Sequence, residues 1–311
     1  AKDTLNGHYE MMGVVYDKPF MIYPNGFPLV LISEIQRVTG REVIGNCVHS
    51  GTEIIKELGE MHMKTGALII YTSADSVLQV AAHEDVIPVD ELYSICEKIS
   101  KLVFNEEYKV GRVIARPFIG KPGNFTRTPN RKDFTQEPPK NVMTMLCDKG
   151  YDVIALGKIK DIFADTGMSV GLKTKNNIDG IIKLNDFARS DFNGLLFLNL
   201  NDFDSSYGHR RNREGYLKCL EELDYYLPTF LNRLRDDDLV IFTADHGNDP
   251  TYKGTAHTRE YTPIIFFSKS FKYRGELATR KSFACIGATI LENFGIENTL
   301  GLGESYLDKL K

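Results

Sequence analysis

The stretch Asp238-Leu239-Val240-Ile241-Phe242-Thr243-Ala244-Asp245-His246-Gly247-Asn248-Asp249 constrains the fold more than any other. Its run of β-branched and aromatic residues predicts a core strand of a parallel sheet, because strands covered on both faces lose the usual polar alternation. Ligands of such sheets gather beyond the carboxyl ends of the strands, where Asp245 and His246 stand. A second apolar run, residues 195–200, ends the same way in Asn201-Asp202-Phe203-Asp204-Ser205-Ser206-Tyr207-Gly208-His209. A third, residues 263–267, follows Gly254-Thr255-Ala256-His257-Thr258-Arg259-Glu260. Three of the chain's seven histidines fall in these segments.

Each of these residues alone is an ordinary cap, turn or solvated loop residue. Together, two Asp and three His form a mixed oxygen and nitrogen donor set that suits Mn²⁺, Zn²⁺ or Fe better than Mg²⁺ or Ca²⁺. Five ligands exceed what one catalytic ion with an open position takes, so the pattern predicts two ions.

Helical and strand patterns alternate along the rest of the chain, which predicts an α/β protein. Residues 29–38, 53–64 and 90–103 have helical spacing, the first two stopping at Gly40 and Gly66. Residues 42–44, 67–73, 77–81 and 110–116 read as strands. Residues 117–131, dense in Gly, Pro and Arg, read as a long loop or linker in which Arg127 and Arg131, with Arg112 and Arg116 just before it, are candidates for an anionic substrate. A doubly wound pattern follows: helix 141–149, strand 151–156 ending at Gly157-Lys158, helix 176–189, the strand from 195, a helix at 213–234 that contains Pro228, the strand from 238, and a helix at 281–294. Lys158 sits at a strand end suited to phosphate.

A length of 311 residues predicts about two domains. With a net charge of −4 and no basic run, nucleic acid is excluded as the default partner. Five scattered cysteines without a Cys-x-x-Cys pair argue against a disulfide framework and a thiolate metal site, and point to the reducing cytoplasm. There is no apolar run of membrane-spanning length, no secretory signal, and no feature that demands an obligate protein partner.

The strings Thr243 to Asp249, Asp204 to His209, and His257 resemble the two-metal site of the alkaline phosphatase superfamily. Lys2 to Glu10, Tyr71 to Ser76, Gly111 to Phe118, and Asn124 to Asn130 are similar to the bacterial phosphopentomutase family, and the likeness runs over essentially the whole chain. It implies an alkaline phosphatase-like core with a doubly wound, mostly parallel sheet (residues 1–17 and 137–311) and an inserted α/β or α+β cap domain (residues 18–136). It implies two Mn²⁺ ions, with Asp245 and His246 on one and Asp204, His209 and His257 on the other. Thr4 would carry the phosphoryl group, and Ser73, Asp75, Val77, Arg112, Arg127 and Lys158 would meet a pentose phosphate.

The implied reaction interconverts ribose (or 2-deoxyribose) 1-phosphate and the 5-phosphate. Alternatives are another mutase or phosphatase of the superfamily and a truncated sugar-phosphate-binding chain without turnover. Members of the family open with a strand ending in an Asp that bridges both metals. No such strand precedes Thr4 and the chain opens without Met, so a processed or truncated start is expected.

Overall fold

The computed structural model describes residues 3–15, 20–73, 76–272 and 274–310. The chain forms two compact units, Ala1–Val15 with Glu137–Lys311, and Tyr16–Gln136. After a first helix, α1 (Thr4–Met11), which belongs to the former unit, the chain builds the whole of the latter.

That unit holds α2 (Leu29–Thr39), β1 (Val43–Val48), α3 (Gly51–Thr65), β2 (Leu68–Thr72), β3 (Val77–His83), α4 (Val89–Val103), β4 (Arg112–Lys121), β5 (Asn124–Arg127) and β6 (Lys132–Thr135). Its sheet is mixed: β1 and β2 are parallel, as are β3 and β4, while β2 and β3 run antiparallel. The ten-residue β4 shares its outer edge, pairing its first half with β6 and its second half with β5, both antiparallel.

Both faces of this sheet are covered, which is why β2 and β3 are buried at every position. Leu68 and Ile70 pack on one side with Leu31, Ile35, Leu92, Ile95 and Ile99 of α2 and α4. Ile69 and Tyr71 alternate to the other side, against Ile54 and Ile55 of α3 with Phe118 and Phe125. The helix α4 forms because Leu92, Ile95, Cys96, Ile99 and Val103 recur at three- and four-residue steps and so make one apolar stripe.

Residues 117–131 correct the expected loop. β4 continues through Pro117 to Lys121, the chain reverses at Pro122-Gly123, and Lys121 pairs with Asn124 in a hairpin. Gly123 has φ +87, the left-handed geometry that a type II turn, with Pro122 as its first central residue, requires at its second. The Gly and Pro density that suggested a linker is turn chemistry between two strands.

The other unit continues with α5 (Val142–Asp148), β7 (Asp152–Leu156), α6 (Ile159–Ile162), β8 (Val170–Leu172), α7 (Asn177–Phe187), β9 (Gly194–Leu198), a π-helical turn (Phe203–Gly208), α8 (Arg213–Arg233), β10 (Val240–Thr243), β11 (Ile264–Phe267), α9 (Ala284–Asn293) and α10 (Leu307–Leu310). α5 begins with a capping box in which Asn141 and Thr144 satisfy each other's backbone N–H groups. β8, β7 and β9 form a parallel sheet in that order, the arrangement expected of a doubly wound core.

β10 differs from expectation. Among the described residues it pairs only with β11, and antiparallel. A continuous apolar run reports burial, and strand direction is not written in it. The short α1, β6 and β8 and the π-helical turn also lacked a legible periodicity. Among the described residues no helix is long and apolar enough to cross a membrane.

Candidate metal centre

Three loop segments of the core unit and the start of α1 converge. The chain leaves β10 into Asp245 and His246, and it leaves β9 into the π-helical turn that carries Asp204 and ends at His209. An isolated antiparallel bridge joins Gly247 to Thr258, with Thr258 N–H donating to Gly247 O at 3.0 Å, and it draws His257 alongside His246. The two imidazoles stack at 3.8 Å between centroids. α1, capped by the Asp3 carboxylate on Asn6 N–H, brings Thr4 from the far end of the sequence.

Donor atoms from Asp204, His246 and His257 all lie within 4.8 Å of one another. His257 Nε2 is 3.1 Å from Asp204 Oδ1 and 3.1 Å from His209 Nε2, and His209 Nε2 is 3.4 Å from Asp204 Oδ2. Asp245 Oδ2 stands 3.3 Å from His246 Nε2. All five residues singled out as ligands therefore meet. The compact Asp, His, His group takes its members from both of the sets that the family resemblance implied. Thr4 joins them, its Oγ1 3.1 Å from His246 Nε2.

The hydrogen bonds around the site suit a cation. His209 Nδ1 lies 2.6 Å from Thr255 O and His246 Nδ1 lies 3.2 Å from Gly247 O. A carbonyl oxygen only accepts, so Nδ1 carries a hydrogen in both rings, which leaves Nε2 as the nitrogen available for a metal. Burial pushes the Asp204 carboxyl upward, but hydrogen bonds from His257 and Asn248 and the charges of His257 and His209 outweigh it and hold the group well below the ordinary carboxylate range. Asp245 follows the same pattern, its burial overcome first by His8 and then by His246. Burial lowers the His246 imidazole, with Asp245 acting in the opposite sense. A metal is ligated by ionised carboxylates and by neutral imidazoles, and one carboxylate with two or three imidazoles fits Mn²⁺, Zn²⁺ or Fe.

Sequence reasoning missed three residues that hold the centre. His8, 2% exposed, places Nδ1 2.8 Å from Thr4 O and 3.3 Å from Asp245 Oδ2, so it ties the helix that carries Thr4 to the carboxylate after β10. Reading Asp3 as a helix N-cap would have put Thr4 and His8 one turn apart on one face and exposed this pairing. Asn248 donates from Nδ2 to Asp204 Oδ1 at 2.6 Å. Arg211, flanked by Arg210 and Arg213, donates to Asn248 Oδ1 at 2.6 Å, and no local signal distinguishes it from those neighbours.

The residues expected to meet substrate are placed as follows. Lys158 follows β7 as the N-cap of α6, and since β7 and β9 are parallel it leaves their sheet at the same end as the Asp204 loop. The others lie in the six-stranded unit. Ser73 follows β2, and Val77 opens β3 with its side chain 3% exposed. Arg112 opens β4 with Nη1 3.7 Å from Asp133 Oδ2. Arg127 closes β5, donating from Nη2 to Tyr71 Oη at 3.1 Å while its buried Nε has no hydrogen-bond partner among the described residues. Burial, and after it the neighbouring Arg131, pushes the Arg116 guanidinium below its ordinary value. Asp75 lies outside the described residues.

A sequence model of the Metalloenzyme superfamily matches residues 80–298, more than half of the chain. Among solved structures, a phosphoglycerate mutase of Leishmania mexicana, crystallised at low cobalt concentration, matches with a TM-score of 0.49 at 14% identity, over 98% of this chain and 87% of that one. The PH0037 protein of Pyrococcus horikoshii matches with a TM-score of 0.43 at 12% identity, over 70% and 67%. Both scores are too low to carry a function across.

Proposed function

The chain belongs to the Metalloenzyme superfamily, and from the resemblance of its motifs we propose that it is a phosphopentomutase that moves a phosphoryl group between C1 and C5 of ribose or 2-deoxyribose with two divalent cations. The observation that carries this reading is the Thr4 hydroxyl, 3.1 Å from His246 at the edge of the Asp204, His246 and His257 group. A nucleophile beside a cation site is what phosphoryl transfer needs, since the reaction asks for little covalent help but much neutralisation of oxygen charge.

On this reading Thr4 Oγ attacks the substrate phosphorus as the P–O bond to the sugar breaks, the threonine proton ending on the departing sugar oxygen; the other sugar hydroxyl then takes the phosphoryl group from the threonine and its proton returns to Thr4 Oγ. His8 and Asp3 fix α1 and hence the direction of Thr4 Oγ. Bound divalent cations, Mn²⁺ on the family resemblance, would lower the charge on the phosphoryl oxygens and favour the Thr4 alkoxide, with Asp204, His209, Asp245, His246 and His257 as their ligands. Lys158 binds phosphate from the core unit. Arg112 and Arg127 bind the phosphate remote from the reacting atoms, and Ser73, Asp75 and Val77 border the sugar, with Asp75 accepting from its hydroxyls. The setting is the cytoplasmic pool of pentose phosphates.

The test is to assay the purified chain with Mn²⁺ against ribose 1-phosphate, 3-phosphoglycerate and p-nitrophenyl phosphate. Isomerisation of the pentose phosphate supports the proposal. Turnover of either of the other two in its place supports another mutase or a phosphatase of the superfamily. No turnover of any supports a sugar-phosphate-binding chain.

A further inference from the structure

Arg211 sits two residues beyond His209 and adopts φ +53, a left-handed backbone geometry that non-glycine residues rarely hold without compensating contacts. Its guanidinium makes contacts with three separate segments. Nη1 donates to Gly208 O at 3.1 Å, to Asn248 Oδ1 at 2.6 Å and to Asp249 O at 2.8 Å. Nη2 donates to Ala256 O at 2.6 Å, and Nε donates to Gly254 O.

Each of those segments delivers a member of the cation site. Gly208 precedes His209, Asn248 follows His246 by two residues, and Ala256 precedes His257. The contacts act on individual ligand atoms. An Asn amide can turn either way, but with Oδ1 held by Arg211 its Nδ2 must face Asp204, where it donates to Oδ1 at 2.6 Å. Gly254 O and Ala256 O, both held by the guanidinium, flank Thr255 O, the acceptor that fixes the His209 tautomer at 2.6 Å. One side chain thereby orients a carboxylate through Asn248 and an imidazole through the loop at Thr255.

We propose that Arg211 is the positioning residue of the cation site, holding Asp204, His209 and His257 in ligating geometry before any ion arrives. This rests on reading the cluster as a metal centre. The planar fork is the operative feature: five N–H donors in one rigid plane span three loops, whereas a lysine ammonium offers three donors from one point. Partners that orient metal ligands from outside typically change affinity by about 10–100-fold when lost.

The test compares the wild type, Arg211→Lys and Asn248→Ala, with the exposed neighbour Arg210→Lys as control, each titrated with Co²⁺ alone. Calorimetry gives the dissociation constant, elemental analysis the stoichiometry, and the visible d–d bands the coordination geometry. Thermal melting in EDTA establishes that each variant is folded.

The proposal expects Arg211→Lys to bind Co²⁺ about tenfold or more weakly with shifted d–d bands, Asn248→Ala to show a smaller change of the same kind, and Arg210→Lys to match the wild type. An Arg211→Lys chain that binds with the wild-type constant and spectrum overturns it. If Arg211→Lys does not fold, Asn248→Ala decides, since it cuts the link to Asp204 but leaves the loops tied, and an unchanged spectrum there overturns the proposal. A wild-type chain that takes up no Co²⁺ overturns the metal centre itself, and Arg211's role with it.

Discussion

Gly7 lies so close beneath the turn after β10 that a Cβ added to it would stand 2.8 Å from the carbonyl carbon of Asp245 and nearer still to its oxygen. The absence of a side chain there lets α1 press against the backbone that carries Asp245 and His246. Gly7→Ala must push helix and turn apart, and overpacking of this kind costs about 1–3 kcal/mol. Urea denaturation reads it as a lowered midpoint; an unaltered midpoint would mean that α1 does not hold this position.

Thr4→Ala removes the proposed nucleophile and leaves the cation ligands in place. Phosphoryl transfer falls by about 10³-fold or more, while metal content measured by elemental analysis stays at the wild-type level. Thr4→Ser, which keeps the hydroxyl, retains part of the activity. Equal activity in Thr4→Ala and wild type would remove the phosphothreonine from the mechanism.

Asp204→Asn and His257→Ala each withdraw one donor from the compact group, and each lowers the number of ions bound per chain. Removing metal from the wild type with EDTA lowers its melting temperature, because an ion present at ~100 times its dissociation constant stabilises the folded chain by about 2.7 kcal/mol. The EDTA effect shrinks in both variants. Unchanged ion content in both would contradict the assignment of these ligands.

Arg112→Ala tests substrate contact without touching the metal ligands. A charge-assisted hydrogen bond to phosphate contributes about 1.5–3 kcal/mol, so KM for the pentose phosphate rises about tenfold or more. The ion count stays unchanged. A KM equal to that of the wild type would leave Arg112 with only its ion pair to Asp133.

His62 supplies a pH dependence outside the metal centre. It is fully buried, its Nδ1 2.6 Å from Ala67 O and its Nε2 accepting from His83 N–H at 2.9 Å, and burial lowers its pKa below the ordinary 6.5. The unfolded chain therefore takes up a proton near pH 6.5 that the folded unit refuses, so this contribution to stability is complete above about 6.5 and declines as pH falls toward the lower folded value. Urea midpoints from about pH 7.5 down to about pH 5 fall more steeply in the wild type than in His62→Gln. Parallel pH profiles would contradict the burial of a neutral imidazole at this position.

Much of this protein was legible locally. The period of Leu92, Ile95, Ile99 and Val103 marked α4, glycines at 40 and 66 marked where α2 and α3 stop, and apolar runs marked β2, β7, β9 and β10. Asp204, His209, Asp245, His246 and His257 stood out because each follows or precedes such a run. Pro117 and the Pro122-Gly123 turn misled for a physical reason: these residues mark a loop and a tight hairpin with the same local chemistry.

The amino-acid sequence by itself determined the longer helices, the apolar strands and which side chains could bind a metal, since periodicity, caps and ligand chemistry are properties of neighbouring residues. Only the tertiary structure decided that Thr4 lies beside His246 across 242 positions, that β10 runs antiparallel to β11, and that Arg211 gathers three loops. Those relations arise from packing and hydrogen bonding between distant segments, where direction and partner are chosen by which surfaces and donors fit together and leave no trace in either segment alone.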